Sequence, residues 1–304
     1  MGRRCTISFF GSSLLSAYWN GAATYYRGII RALNLRGHSI TFYEPDAYGR
    51  QEHRDIESPP WARVVVYSAR DERGALHALE AAQKSDLVLK CSGVGVFDDL
   101  LEREIANLSD KLMVGFWDVD APATLDRIDR DPSDPFCRLI PKYHFVFTYG
   151  GGERVVQTYN KWGARLCLPV YNALDPGDHF PVSREPRFRA DLAFLGNRLP
   201  DREQRMDEFF FGPAGKSPSR QFILGGNGWN DKAISDNVRY CGHVYTKDHN
   251  AFNSSPLCVL NVDRASMAEY GFCPPTRIFE AAGAEACIIS DQWEGIEMFL
   301  HPGR

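Results

Sequence analysis

Short apolar runs rich in β-branched and aromatic residues alternate along the chain with longer stretches whose apolar positions recur every three or four residues. Residues 5–10 read as a buried strand. Residues 22–36 then read as a helix with Ile29, Ile30 and Leu33 at helical spacing and Gly37 as its C-cap, followed by a strand over 39–43. That is one βαβ unit. The alternation continues with strands at 64–67, 86–90, 111–117 and 143–148, and with helices at 74–84, 97–107 and 153–162. Such a pattern predicts an α/β fold with a parallel, doubly wound sheet.

Between Pro169 and Pro186 the pattern gives way to turn residues, Tyr171-Asn172-Ala173-Leu174-Asp175-Pro176-Gly177-Asp178. A domain boundary is expected there, dividing the chain into residues 1–175 and 176–304. Alternation then restarts, with strands at 191–195, 221–224, 238–240, 257–262 and 287–290. Helices are expected at 201–211, stopped by Gly212-Pro213, and at 247–253 and 276–283. Two Rossmann-like domains facing a central cleft follow, with ligands expected beyond the carboxyl ends of the strands.

Composition narrows the classes of function. The 304 residues hold 35 Lys and Arg against 39 Asp and Glu, and the basic residues are scattered, so nucleic acid is not an expected partner. No apolar run approaches the roughly 18 residues of a membrane helix, so no membrane span is expected. Met1-Gly2-Arg3-Arg4-Cys5-Thr6 imitates a lipidation or export signal, but the apolar residues after it read better as the first strand. The eight cysteines form no Cys-x-x-Cys pair and the eight histidines are isolated, which points to a cytoplasmic chain and to no zinc site.

The loops after the predicted strands carry the candidate chemistry. Gly196-Asn197-Arg198 precedes a helix, where a glycine, free helix N–H groups and a guanidinium suit a diphosphate; the plain alternative is a turn capped by Asp201. Near the end, Thr276, Arg277 and Glu280 open a helix. A carboxylate there accepts hydrogen bonds from ribose hydroxyls, and Arg277 meets a phosphate. In the first half, Asp118 and Asp120 follow a strand and are candidates for the base that deprotonates an acceptor hydroxyl, or for a turn pair. Asn20 and Gly21 start the first helix and are candidates for contact with donor phosphates, or for its cap. Trp61, Trp229 and Trp293 are candidates for stacking on sugars or for core packing.

The segment from Arg264 to Arg304 contains Tyr-Gly-Phe-x-Pro-x-Thr-Arg-x-Phe-Glu-Ala-Ala, then Ile-Ser-Asp-x-Trp-Glu-Gly-Ile-Glu and Pro-Gly-Arg. With Leu195-Gly196-Asn197-Arg198-Leu199-Pro200-Asp201-Arg202, the loop from Trp19 to Arg27 and the segment from Asp118 to Leu125, it resembles the CgeB-type, spore maturation protein-like glycosyltransferases. The resemblance implies a GT-B fold and transfer of a sugar from a nucleotide diphosphate-sugar donor to an unknown acceptor, without a metal or other cofactor. It implies that Glu280 binds the donor ribose and Arg198 the diphosphate, with Gly196, Asn197, Phe272, Thr276 and Arg277 around the donor. Many related retaining enzymes have a second glutamate where this chain has Phe272, eight positions before Glu280. The family's chains also continue past Pro-Gly-Arg to a last helix, so the resemblance implies a C-terminal end truncated at Arg304. A non-hydrolysing nucleotide-sugar epimerase and a degenerate, non-catalytic nucleotide- or sugar-binding protein are the alternative readings.

Overall fold

A computed structural model describes residues 3–301. The chain divides into two compact units, Met1–Tyr171 and Asn172–Arg304, where the sequence places the division between residues 175 and 176.

The first unit runs β1 (Thr6–Phe10), α1 (Ala23–Leu35), β2 (Ser39–Asp46), β3 (Arg63–Ser68), α2 (Glu72–Ala82), β4 (Leu87–Cys91), α3 (Asp98–Ala106), β5 (Met113–Asp118), α4 (Ala121–Arg130), α5 (Pro135–Leu139), β6 (Phe145–Thr148), α6 (Gly152–Lys161) and β7 (Cys167–Pro169). Its seven strands are parallel, in the order β3-β2-β1-β4-β5-β6-β7. The order reverses between β1 and β4. That is the topological switch point, where helices on opposite faces leave a crevice beyond the strand ends. Phe9, Phe42 and Phe116 pack into the core with Tyr26, Tyr143 and Tyr159, and Phe10 stacks on Tyr43 at 4.7 Å. Local chemistry starts the helices: Asp71 accepts from the Arg73 N–H ahead of α2, and Asp134 from the Phe136 N–H ahead of α5.

The acidic stretch at residues 126–134 reads from sequence as a solvated surface segment, and residues 129–133 are exposed. It is the end of α4 and the turn into α5, with Arg127 reaching inward to 3.1 Å from both Glu102 and Asp134.

The second unit runs β8 (Leu192–Leu195), α7 (Pro200–Met206), a π-helical turn (Asp207–Phe211), α8 (Gly212–Lys216), β9 (Phe222–Gly225), β10 (Val238–Tyr240), α9 (Thr246–Ser254), β11 (Cys258–Asn261), α10 (Ala265–Tyr270), α11 (Thr276–Gly283) and β12 (Ile288–Ser290). All five strands are parallel, in the order β10-β9-β8-β11-β12, so this switch point lies between β8 and β11. Both faces are covered. Phe194 points into a cluster with Met206, Phe210 and Trp229, while its neighbour Ala193 joins Phe188 and Phe252 on the other side, as the two-residue period of a strand requires.

Gly212-Pro213 does not stop the helix before it. The Gly212 N–H bonds to Asp207 O, five residues back, and this widened turn sets Pro213 at the start of α8, where its missing N–H costs little. No helix among the described residues is long and apolar enough to cross a membrane.

Candidate functional site

In the second unit the switch point is filled by an arginine. Arg277, the second residue of α11, donates through Nε to Leu195 O at the end of β8 (2.6 Å) and through Nη1 to Asn261 Oδ1 at the end of β11 (2.7 Å). Its guanidinium lies 4.3 Å over the Phe194 ring. Arg202 comes in from α7, donates to Asn197 O (3.1 Å), and leaves its Nε buried without a hydrogen-bond partner. The two guanidiniums converge on Gly196: a Cβ there would stand 2.7 Å from Arg277 Nη2 and 3.1 Å from Arg202 Nη1. A side chain at residue 196 would displace one or both of them.

Several charged groups are buried together at this edge. Burial, with repulsion from Arg277 and Arg264, pushes the Arg202 guanidinium down to about 9. Asp263, fully buried beyond β11, is pushed up to about 7 by burial and by the neighbouring Asp291 charge, and one of its oxygens has no hydrogen-bond partner. Asp291 is itself paired with Arg205, and Asp201 with Arg264 (2.8 Å). At neutral pH Asp263 is therefore only partly ionised, and it faces the buried Arg202 as a partial counter-charge. Such an edge suits an anion.

The residues singled out from sequence fall into two groups. Gly196, Asn197 and Arg277 meet at the β8–β11 edge, where the Asn197 side chain accepts from the Asn227 N–H (2.8 Å). Arg198 does not join them: its guanidinium is held by Glu203 (2.6 Å) and Asp231 (2.8 Å), and the charge expected on a diphosphate is spent on carboxylates. Asp201 does not cap α7 but binds Arg264 and Ser266 Oγ (2.9 Å). Glu280 lies one turn beyond Arg277, buried, with one oxygen 3.3 Å from His249 Nδ1 of α9. Thr276 opens α11 and is half-buried. Phe272 has a left-handed backbone (φ 49°), and its N–H donates to Glu294 O (2.6 Å). Sequence reasoning missed Arg202 and the set Asn261, Asp263 and Arg264 as site residues. The available signal is the abrupt change from the apolar run Leu257–Leu260 to amide, carboxylate and guanidinium at a strand's carboxyl end.

In the first unit Asp118 ends β5 with no exposed surface. Oδ1 accepts from Ser92 Oγ (2.7 Å), Thr124 Oγ1 (3.0 Å) and the Asp120 N–H (3.0 Å), and Oδ2 from the Tyr159 hydroxyl (2.5 Å). Burial pushes its pKa up and these donors pull it back. Asp118 thus ties three segments together and presents no oxygen to an acceptor, which corrects its reading as a catalytic base. Asp120, two residues on, is half-buried at the start of α4. Tyr159→Phe removes one donor to the buried carboxylate, and a loss of roughly 1–3 kcal/mol is expected in urea denaturation.

Asn20 is also spent on structure: it accepts from Ser12 Oγ (2.8 Å) and donates to Ser13 O (2.8 Å) and Ser16 O (2.9 Å), stapling the loop after β1. Its side chain is not available to a phosphate, contrary to expectation. Gly21 beside it is exposed, with open space where a Cβ would point. Trp229 and Trp293 are buried and Trp61 is half-buried.

Residues 202–304 match a family model described as glycosyl transferase-like. Solved structures are similar over nearly the whole chain. Sucrose-phosphate synthase from Thermosynechococcus elongatus superposes with a TM-score of 0.68 at 11% identity, covering 99% of this chain and 84% of that one. Anabaena HepE in complex with UDP and glucose gives 0.64 at 13% identity, with 99% and 84% covered. An alpha-glucosyltransferase in complex with UDP and a 13-mer DNA gives 0.63 at 11% identity, with 95% and 80% covered. The chain has the GT-B fold. No curated protein sequence matches it.

Proposed function

We propose that this chain is a glycosyltransferase that takes a nucleotide diphosphate-sugar donor and holds its diphosphate at the β8–β11 edge of the second unit. One observation carries the reading. Two buried arginines, Arg277 and Arg202, converge on a glycine at a topological switch point. Transfer leaves negative charge on the departing diphosphate, and a fixed pair of guanidiniums stabilises that charge as it develops. The match of residues 202–304 to a glycosyl transferase-like family supports the same reading, as do the solved structures that hold UDP.

In this proposal Arg277 and Arg202 replace Arg198 as the diphosphate ligands, Gly196 and Asn197 supply the close backbone approach, and Glu280 meets the ribose. Phe272 and Thr276 border the donor. The first unit serves the acceptor: Asp120 is the base and Asp118 its positioning residue, acting through the Asp120 N–H. The finer assignment is CgeB-type hexosyl transfer without a metal, in the cytoplasm. In this reading the donor charge falls to the arginines.

Calorimetric titration with UDP and UDP-glucose tests the donor site. Binding is expected, and Arg277→Lys is expected to weaken it roughly tenfold or more by losing the guanidinium fork, while Arg198→Lys changes it little. Equal affinity in Arg277→Lys, on protein with an unchanged melting curve, overturns the assignment. Transfer that stops in EDTA and returns with a divalent cation overturns the metal-free part.

A further inference from the structure

At the switch point of the first unit, between β1 and β4, a second buried arginine bridges the strand-end loops. Arg50, 5% exposed, donates through Nη1 to Ser12 O (3.1 Å) and Val94 O (3.3 Å) and through Nη2 to Trp19 O (3.4 Å). Its Cζ lies 5.0 Å from the centre of the Tyr48 ring, and the Tyr48 hydroxyl donates to Gly95 O (2.5 Å). One guanidinium thus gathers the loops after β1, β2 and β4.

What those loops display is aromatic. Trp19 is 41% exposed and Tyr48 54% exposed, although large rings gain free energy by burial. Both sit in the left-handed backbone region, with φ of 50° and 58°, which bulky residues rarely adopt. Arg50 contacts Trp19 through its carbonyl and Tyr48 through its ring, and Gly95 O holds the Tyr48 hydroxyl. Beside them Gly21 and Gly93 leave room, since a Cβ at either would meet nothing within 4 Å.

The buried cations around these loops are Arg27, Arg50 and Lys90, and they are matched by Asp55, Glu44 and Asp98: Arg27 lies 3.6 Å from Asp55 and Lys90 2.6 Å from Asp98. Glu44 accepts from Ser13 Oγ, Gln51 Nε2 and the Leu14 N–H. These buried cations are thus engaged with carboxylates or, for Arg50, with backbone carbonyls. The edge offers exposed rings and open space, which suit a neutral ligand with a flat C–H face.

We propose that Trp19 and Tyr48 form a stacking platform for a neutral saccharide acceptor, with Arg50 as the residue that positions both. A pyranoside has an apolar C–H face for the rings and hydroxyls at its edge for reaction. Ser92, next to Gly93, donates to the Asp118 oxygen that also accepts the Asp120 N–H, so the platform loop and the Asp120 loop are directly joined. The saccharide's role as acceptor rests on the glycosyltransferase reading; its binding does not.

The test is ligand-observed saturation-transfer NMR on the full chain without donor. The probes are methyl glucoside, maltose, cellobiose and N-acetylglucosamine, with glucuronate, glucose 6-phosphate and 4-nitrophenol for comparison. At least one neutral sugar is expected to bind in preference to the charged pair, and Trp19→Ala and Tyr48→Ala are each expected to weaken it about tenfold. Both rings are exposed, so both variants are expected to fold, and UDP affinity is expected to stay unchanged in each. No binding of any neutral sugar by a chain that still binds UDP overturns the platform, as does equal binding in both variants. Preference for a charged sugar overturns its neutrality, and preference for nitrophenol reassigns it to an aromatic aglycone. Sugar binding without UDP binding leaves the platform standing and defeats the donor reading instead.

Discussion

Gly226→Ala is expected to cost about 2–4 kcal/mol of stability, and to remove UDP binding from whatever protein still folds. Gly226 follows β9 with φ +114°, a conformation that side chains resist. A Cβ there would stand 2.2 Å from Gly196 O and 2.4 Å from Gly196 C, both backbone atoms that cannot swing away. The turn is also fixed by its neighbours: the Gly226 N–H donates to Gly242 O (2.8 Å), Gly226 O accepts from Tyr240 (2.8 Å), and Gly196 O accepts from Trp229 Nε1 (2.9 Å). Relief has to come from moving the Gly196 loop, on which Arg277 and Arg202 converge. Urea denaturation checks the first effect and calorimetry the second. Gly21→Ala is the control, expected within about 0.5 kcal/mol because its Cβ enters open space. A loss below about 1 kcal/mol in Gly226→Ala would show that the two loops are not locked together.

Asp263→Asn is expected to make stability less dependent on pH, and to raise it at pH 8. The Asp263 carboxyl titrates at about 7 in the folded chain, against 3.8 ordinarily. Between those values the folded state holds a proton that the unfolded state has released, so stability falls as pH rises through the window and the penalty is complete above pH 7. At about 1.4 kcal/mol per unit the ceiling is about 4 kcal/mol. Asparagine carries no charge and retains an acceptor for the Asn261 side chain. Denaturation of both proteins at pH 5 and pH 8 measures the difference. A wild-type chain that is no less stable at pH 8, relative to the variant, than at pH 5 refutes the assignment. On the proposed donor site the same proton has a second expected effect. With Asp263 neutral the arginines face less opposing charge, so UDP is expected to bind more tightly at pH 6 than at pH 8. That ratio should shrink in Asp263→Asn, and comparing the two proteins cancels the ligand's own titration.

Much of the secondary structure was legible because it rests on local patterns. The strand Val259–Leu260 is apolar on both faces and Ile7–Phe10 is so except at Ser8, as strands of a parallel sheet covered on both sides are, and Thr276–Gly283 shows its buried face through Ile278 and Ala281. The misses are elements whose reason is not local. β7 is three residues long and exists because Val146, Phe147 and Thr148 lie alongside it. Ala265–Tyr270 is short, and its connection to α7 comes from Arg264 and Ser266 meeting Asp201, more than sixty residues away. Gly212-Pro213 carries a strong stop signal that a π-helical turn absorbs.

The candidate site divides along the same line. Residue type and position after a strand singled out Gly196, Asn197, Arg277 and Glu280 from sequence alone. The same criteria also selected Arg198 and Asp118, which the structure shows engaged with Glu203 and Asp231 and with four hydrogen-bond donors. They passed over Arg202, whose importance lies in sharing Gly196 with Arg277, and Trp19 and Tyr48, whose importance lies in being left exposed around Arg50.

By itself, then, the sequence determined the two tandem βα units, the parallel sheets and the loops in which polar chemistry gathers, because hydrophobic periodicity and turn residues act over a few neighbours. Only the tertiary structure decided which arginine is bound by surface carboxylates and which lies buried at the switch point, which aspartate is buried, and which aromatic rings stay in solvent. Those outcomes depend on the partners each side chain meets across the sheet edge, and such partners, like Arg277 and Leu195, are set by strand order and not by distance along the chain.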